Sequence, residues 1–213
     1  HVQRVVEREF GRRAAVLPPP VDISAFPVRA PGPARPVILY SGSVDEPRKG
    51  VDLLLAAFET LLETVPDAEL RLTGQCSHAR ATALRTSLGA RAAERLSIHG
   101  PGRVADLPQL YRDAGVLVLP SRFEAFGLVL VEAMASGTPV VAAREGGASD
   151  ILGGPETGEL VDLDDPAPAH ALAGALARVL AVSGRAESVE ACRARAERFG
   201  WDRLGPAYEE ILA

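Results

Sequence analysis

Continuous apolar runs separated by amphipathic segments constrain the fold of this chain most strongly. The runs at 36–40 and 140–143 lack the polar alternation of a half-exposed antiparallel strand, so we predict parallel strands that are buried on both faces. The segments 51–63, 79–90, 107–114 and 167–180 place apolar residues at helical spacing. Strands that alternate with helices in this way predict an α/β fold with an open parallel sheet flanked by helices.

Composition limits the class of protein. The chain has 213 residues, of which 47% are hydrophobic and 24% charged, with a net charge of -5, as in one globular domain with a sizeable core. The acidic balance argues against a nucleic-acid partner, and we interpret the scattered arginines as solvated helix faces. No apolar run approaches the roughly 20 residues that a membrane span needs.

Cysteine and histidine spacing gives no metal or disulfide signal. Cys76 and Cys192 form no CxxC pair, so we expect neither a disulfide framework nor a zinc site, and we expect a reducing compartment. The four histidines lie far apart in the sequence with no acid at metal-ligand spacing. The acidic run 162–165 lacks the glycine and downstream glutamate of a calcium loop. We therefore predict no metal.

Two glutamates flank a turn between a strand and a helix. The buried run 115–120 leads into Phe126-Gly127-Leu128, after which apolar residues recur at helical spacing. Glu124 therefore lies in a loop and Glu132 in a helix. A loop carboxylate at the carboxyl end of a strand, above the free N–H groups where a helix begins, suits a polyhydroxy ligand that carries phosphate. The pattern predicts a sugar linked to a nucleotide.

A second strand, loop and helix junction follows the run at 36–40. The small residues Gly42 and Ser43 would let the backbone approach a diphosphate closely. Lys49, the only lysine among 23 basic residues, stands just before the next helix. A lysine there can neutralise charge that grows on a leaving nucleotide.

These motifs, in this order, resemble the donor-binding domain of retaining GT-B glycosyltransferases of the family 4 or group 1 type. Further matches lie at 16–22, 41–50, 146–147 and 199–202. The resemblance covers nearly the whole chain and implies a Rossmann-like parallel sheet, the C-terminal half of a GT-B fold, over residues 1–213. It implies that 1–35 is an extended or helical lead-in from an N-terminal domain and that 188–213 forms helices crossing back to that domain.

The resemblance also implies roles for single residues. Glu124 would bind donor-sugar hydroxyls, Glu132 the ribose hydroxyls, and Lys49 the departing diphosphate in place of a divalent ion. Backbone N–H groups of the turn would contact sugar and phosphate, and one loop would lie beside the base. The residues assigned to these substrate contacts are Gly42, Ser43, His99, Val104, Phe126, Gly127 and Leu128. The sequence departs from the family at Ser43, where an arginine is usual.

The expected activity is sugar transfer from an NDP-sugar, a UDP- or GDP-sugar, with retained configuration and no cofactor. The acceptor would be held by a missing N-terminal domain, so the isolated domain would be inactive. We expect a cytoplasmic protein that contacts a membrane only through that missing part. Base, sugar, acceptor and oligomeric state leave no readable trace in the sequence.

Three alternative functions can be compared with this interpretation. A GT-B enzyme of the sucrose, trehalose or glycogen synthase type would use the same donor chemistry. A non-catalytic or regulatory sugar-nucleotide-binding module is suggested by Ser43. The stretch 100–105 matches a G-x-G-x-x-A dinucleotide fingerprint, but a proline in its turn and its late place in the chain argue against an NAD-linked dehydrogenase.

Overall fold

The computed structural model describes residues 7–11, 17–101 and 104–212. Within them, the strands are β1 (Val37–Ser41), β2 (Glu69–Thr73), β3 (Leu96–His99), β4 (Val116–Leu119), β5 (Val140–Ala143) and β6 (Gly158–Val161). The helices are α1 (Val51–Thr64), α2 (His78–Ser87), α3 (Ala90–Glu94), α4 (Leu107–Asp113), α5 (Leu128–Ala135), α6 (Ala148–Ile151), α7 (Pro168–Val182), α8 (Ala186–Glu197) and α9 (Trp201–Leu212). Short 3-10 turns occupy Ile23–Ala25, Pro47–Lys49 and Val104–Asp106.

The six described strands form one parallel sheet in the order β3-β2-β1-β4-β5-β6. The predicted Rossmann-like parallel sheet is confirmed. The strand order reverses between β1 and β4, and in such sheets the crevice at the carboxyl ends of these two strands takes the ligand. The β1–β4 register joins two residue pairs, whereas the β1–β2 register joins five, so β1 and β4 stay in register over only a short stretch.

Two apolar layers cover the sheet. One layer contains α1 and α7 and receives Ile38 and Tyr40 of β1, whereas the other contains α4, α5 and α8 and receives Leu39. Successive strand residues point to opposite faces, so the continuous apolar run in β1 serves both layers at once. This explains why the buried strands show no alternation in the sequence.

One predicted helix is two. The segment 79–90 was expected to be continuous, but α2 ends at Ser87 and α3 begins at Ala90. Between them the backbone of Gly89 is extended, and its N–H donates to Oε1 of Glu59 at 2.8 Å. A glycine breaks a helix readily because it loses more conformational entropy than any other residue when it is fixed in helical geometry.

The lead-in and the tail pack on the same face of the domain. Val21 forms a parallel bridge with Gly200, and its N–H donates to the carbonyl of Phe199 at 2.9 Å. The tail breaks at Gly200 as predicted, although α8 begins at Ala186, ahead of the expected 188. The described helices include none long and apolar enough to cross a membrane. Lead-in residues 1–6 and 12–16 lie outside the described residues.

Several arginines are structural, which corrects our reading of them as solvated faces. Nη1 of Arg193 donates to the carbonyls of Phe26 at 2.8 Å and Ala135 at 2.9 Å, joining the lead-in to α5. Arg29 donates to the carbonyl of Ala114 at 2.6 Å, and burial lowers its pKa. A guanidinium has five donors in a rigid fork, so one side chain can satisfy several carbonyls at once.

Candidate functional site

Two loops meet backbone to backbone where the sheet order reverses. The 3-10 turn Pro47–Lys49 follows β1, and the loop 120–127 follows β4. The N–H of Arg122 donates to the carbonyl of Arg48 at 2.8 Å. Gly50 has φ of 72°, and a Cβ there would lie 2.2 Å from the carbonyl oxygen of Pro120. Only glycine permits both this conformation and this approach.

The meeting of these loops pairs the two predicted catalytic side chains. Nζ of Lys49 lies 2.8 Å from Oε2 of Glu124, and the side chains are only 15% and 18% exposed. The residues are 75 positions apart in the sequence. Charge-assisted hydrogen bonds are stronger than neutral ones, and an ammonium has three donors, so Lys49 can hold Glu124 and still donate to a second anion.

Glycines after β5 fix the loop that carries Glu124. A Cβ on Gly146, at φ of 86°, would lie 2.1 Å from the carbonyl oxygen of Glu124. A Cβ on Gly147 would lie 2.5 Å from Cα of Phe126. The N–H of Gly147 donates to the carbonyl of Glu124 at 3.0 Å. This N–H group therefore supports the loop that carries Glu124.

The turn before α5 keeps its backbone donors. Gly127, at φ of 95°, is the N-cap of α5 and provides no side-chain cap. The first turn of a helix leaves N–H groups without intrahelical partners, and these bind anions well. Leu128 is 40% exposed at this helix start. The ring of Phe126 packs edge-on against the ring of Phe199 in the tail, with 5.6 Å between their centroids. This contact holds the turn against the tail.

Glu132 is held by a tyrosine that sequence reasoning missed. Oε2 of Glu132 accepts a hydrogen bond from the hydroxyl of Tyr111 at 2.7 Å. Burial raises the pKa of Glu132, and the bond from Tyr111 partly opposes this. In the sequence Tyr111 belongs to an apolar helix pattern, which gave no sign that its hydroxyl meets a carboxylate.

Another buried tyrosine shapes the loop after β1. The hydroxyl of Tyr40 donates to the carbonyl of Ser43 at 2.8 Å, and the N–H of Gly42 donates to Thr73 at 2.9 Å. Burial raises the pKa of Tyr40, with further contributions from Glu46 and Glu124. The family usually has an arginine where this chain has Ser43. Arg48 does not evidently take over its role, because Arg48 pairs with Glu46 at 2.7 Å.

The predicted base contacts lie farther along the same edge. His99 is in register with Thr73, and Thr73 with Ser41, so the three residues form a row across β3, β2 and β1. At about 4.8 Å between strands, His99 lies about 10 Å from Ser41. Its side chain is exposed. The side chain of Val104 and residues 102–103 lie outside the described residues, so the contact to the base stays a prediction.

An acidic cluster lies next to the Glu124 loop. Carboxylate oxygens of Glu145, Asp162 and Asp164 fall within 4.8 Å of one another. Arg122 pairs with Asp164 at 3.0 Å and lies 3.6 Å from Glu145. The guanidinium partly balances the negative charge and ties the loop to the segment after β6.

Phe123, next to Glu124, is the one non-glycine residue with positive φ among those described, at 60°, and it is 79% exposed. A bulky residue in this region is strained by about 1–3 kcal/mol. We expect Phe123→Gly to raise the free energy of unfolding by about 1 kcal/mol, since relief of strain exceeds the added entropy of the unfolded chain. Urea unfolding measures the effect. Phe123→Ala removes the ring but keeps the strain, so an equal gain in both variants would contradict this explanation.

Comparison with known proteins identifies the family. The model of the family "Glycosyl transferases group 1" matches residues 35–181. The chain belongs to the group 1 glycosyltransferases. The D-inositol 3-phosphate glycosyltransferase of Xylanimonas cellulosilytica is 38% identical over 223 residues, covering 94% of this chain and 51% of that protein. The phosphatidyl-myo-inositol mannosyltransferase of Mycobacterium tuberculosis is 36% identical over 199 residues, covering 90% of this chain and 52% of that protein.

Solved structures agree on the fold of this glycosyltransferase domain. The sucrose-phosphate synthase of Thermosynechococcus elongatus superposes with a TM-score of 0.80 at 28% identity, covering 98% of this chain and 56% of that one. The predicted GT-B-type α/β fold and the predicted family are thereby confirmed. The chain spans about half the length of the curated relatives that it matches.

Proposed function

We propose that this glycosyltransferase domain binds a nucleoside diphosphate sugar, with UDP or GDP as the nucleotide, at the carboxyl ends of β1 and β4. The observation that carries the proposal is the contact of Lys49 with Glu124 at 2.8 Å, where the sheet order reverses. The N–H groups at the start of α5 lie on the same loop as Glu124. A cation, a carboxylate and free donors at one crevice fit phosphate beside sugar hydroxyls.

In the proposed reaction the bond between the anomeric carbon and the diphosphate oxygen breaks. The oxygen of an acceptor hydroxyl bonds to that carbon with retained configuration, and its proton passes to the departing diphosphate. Negative charge then grows on the departing diphosphate. Lys49 stabilises that charge without a divalent ion, and Glu124 orients the sugar through its hydroxyls. Ser43 and Gly42 bring the backbone close to the phosphates, and Glu132 binds the ribose diol.

The whole protein's activity needs a second domain in this proposal. The matched relatives are about twice as long as the matched region, which is consistent with an N-terminal domain that holds the acceptor. The domain alone would then bind donor without transferring sugar, because the acceptor hydroxyl must be held beside the anomeric carbon. The likeness to a sucrose-phosphate synthase keeps an enzyme of that type as an alternative.

A non-catalytic module that binds sugar nucleotides is the second candidate, and Ser43 favours it because one phosphate-binding cation is missing. The two candidates differ once the acceptor domain is present. Under the catalytic proposal, a protein containing both domains hydrolyses or transfers the sugar slowly even with a poor acceptor. Donor binding with neither reaction would support the module.

The two glutamates should affect binding differently. We expect Glu132→Gln to weaken UDP or GDP and the sugar conjugate alike, by about tenfold, because one charged acceptor is lost. Glu124→Gln should weaken only the sugar conjugate, since Glu124 is proposed to contact the sugar. Isothermal titration calorimetry of the 213-residue chain measures both.

Glu63→Gln, at an exposed position of α1, is the matched control and should change neither affinity. Unchanged nucleotide affinity in Glu132→Gln would contradict the ribose assignment. Absence of binding by any nucleoside diphosphate, with the chain folded, would count against the proposed site as a whole.

A further inference from the structure

Tyr111 is buried under the proposed nucleotide site and is fixed on several sides. Its side chain is 0% exposed in α4, and its ring lies 5.9 Å from that of Phe26. Its backbone carbonyl accepts a hydrogen bond from Oγ1 of Thr138 at 2.7 Å. Its hydroxyl donates to Oε2 of Glu132 at 2.7 Å. The position of the Tyr111 hydroxyl is therefore fixed, and the side chain of Glu132 must adopt the conformation that reaches it.

The hydrogen bond from Tyr111 favours the charged form of Glu132 and also fixes the orientation of its carboxylate. Burial raises the pKa of Glu132, and the bond from Tyr111 is the influence that lowers it. A protonated carboxyl would donate one proton and lose acceptor capacity, whereas a carboxylate accepts through both oxygens. With Oε2 turned toward Tyr111, Oε1 and the second lone pair of Oε2 remain for a ligand.

Tyr111 also reaches the strand that leads into the phosphate loop. Burial and Glu132 raise the pKa of Tyr111, and the neighbouring side chain of Ser41 acts in the opposite direction. Ser41 is the last residue of β1 and precedes Gly42. The hydroxyl of Tyr111 thus contacts the proposed ribose acceptor and lies close to the residue that precedes the phosphate loop.

We propose that Tyr111 is a positioning residue for nucleotide recognition, because its hydroxyl holds Glu132 as an oriented carboxylate that accepts the two ribose hydroxyls. This rests on the proposed function of the site. The role is indirect, since Tyr111 is buried behind Glu132 and the ligand would meet the carboxylate alone.

The test is Tyr111→Phe, which keeps the ring and removes only the hydroxyl. We expect UDP or GDP, whichever the wild-type chain binds more tightly, to lose about fivefold in affinity at pH 7.5 by calorimetry. The loss should grow at pH 5.5, since without the bond the pKa of Glu132 rises further and less carboxylate remains. The 2′,3′-dideoxy form of the same nucleotide should bind both proteins equally. Tyr208→Phe, which loses a hydroxyl bonded to the carbonyl of Pro18 at 3.2 Å, is the matched control and should show no change.

Two outcomes would overturn the inference: unchanged nucleotide affinity in Tyr111→Phe, or an equal loss for the dideoxy nucleotide, which would indicate packing alone. Glu132→Gln separates this inference from the proposed function. If Glu132→Gln leaves affinity unchanged, the ribose contact itself fails. If Glu132→Gln weakens binding and Tyr111→Phe does not, only the positioning role fails.

A second measurement keeps the test decisive if Tyr111→Phe does not fold. Uniform replacement of tyrosine by 3-fluorotyrosine keeps the ring and makes the hydroxyl a stronger donor. The ratio of nucleotide affinity to dideoxynucleotide affinity should then change from its wild-type value. An unchanged ratio overturns the positioning role.

Discussion

Lys49→Met is expected to weaken binding of the nucleoside diphosphate by about 10- to 100-fold. A charge-assisted hydrogen bond to phosphate is worth about 1.5–3 kcal/mol, and each tenfold change in affinity is about 1.4 kcal/mol. The variant also leaves Glu124 without its partner at a position only 18% exposed, next to the proposed phosphate site. Calorimetry with the preferred nucleotide measures the loss.

Arg48→Met provides a matched control, because it removes one positive charge from the neighbouring residue. Arg48 is half exposed and pairs with Glu46, so its loss should change affinity less than twofold. Similar losses of nucleotide affinity in both variants would mean that binding depends only on the net charge at this edge of the sheet. In that case the specific role proposed for Lys49 would be wrong.

Gly147→Ala is expected to abolish measurable donor binding and to lower the free energy of unfolding by about 1–3 kcal/mol, since overpacking forces the backbone to shift. Gly147 has φ of -74°, which alanine adopts freely, so any effect arises from space alone. The added methyl would lie 2.5 Å from Cα of Phe126 and 2.6 Å from the carbonyl oxygen of Ala125. The loop that carries Glu124 must therefore move. Urea unfolding and calorimetry report the two effects.

Gly205→Ala tests whether space is the cause. Outside its own helix and its chain neighbours, no atom lies within 4 Å of a Cβ at Gly205 in α9, so alanine there should leave donor binding unchanged. Normal donor binding by a folded Gly147→Ala variant would show that the Glu124 loop tolerates displacement. That result would remove the structural argument for the glycine pair.

The sheet and the position of its loops at the carboxyl ends of the strands were accessible from the sequence, because both depend on local patterns. Continuous apolar runs placed β1 and β5, and the helical spacing placed α1 and α7. The junction motifs placed Lys49 and Glu124 at carboxyl ends of parallel strands, which lie along one edge of a sheet. Their 2.8 Å contact follows from the strand order, which the sequence pattern alone did not determine.

The features that escaped sequence reasoning depend on contacts between distant residues. In the sequence, Tyr111 fits only the apolar pattern of a helix. Its hydrogen bond to Glu132, 21 positions away, arises because α4 packs on α5. No local pattern reveals that the N–H of Gly147 donates to the carbonyl of Glu124. The structural role of Arg193 was hidden for the same reason, since its carbonyl partners lie as far as 170 residues away.

The edge-on contact between Phe126 and Phe199 affects the order in which parts of the chain can fold. Nε of Arg195 bonds to the carbonyl of Ile151, and its guanidinium lies 5.5 Å from the ring of Phe199, so the aromatic anchor is itself held in place by the tail. Synthesis on the ribosome proceeds from the N-terminus, and the six described strands are all complete before residue 199 emerges. We therefore expect the sheet to be able to form during translation, whereas the turn before α5 acquires its final support only when the last segment of the domain is released.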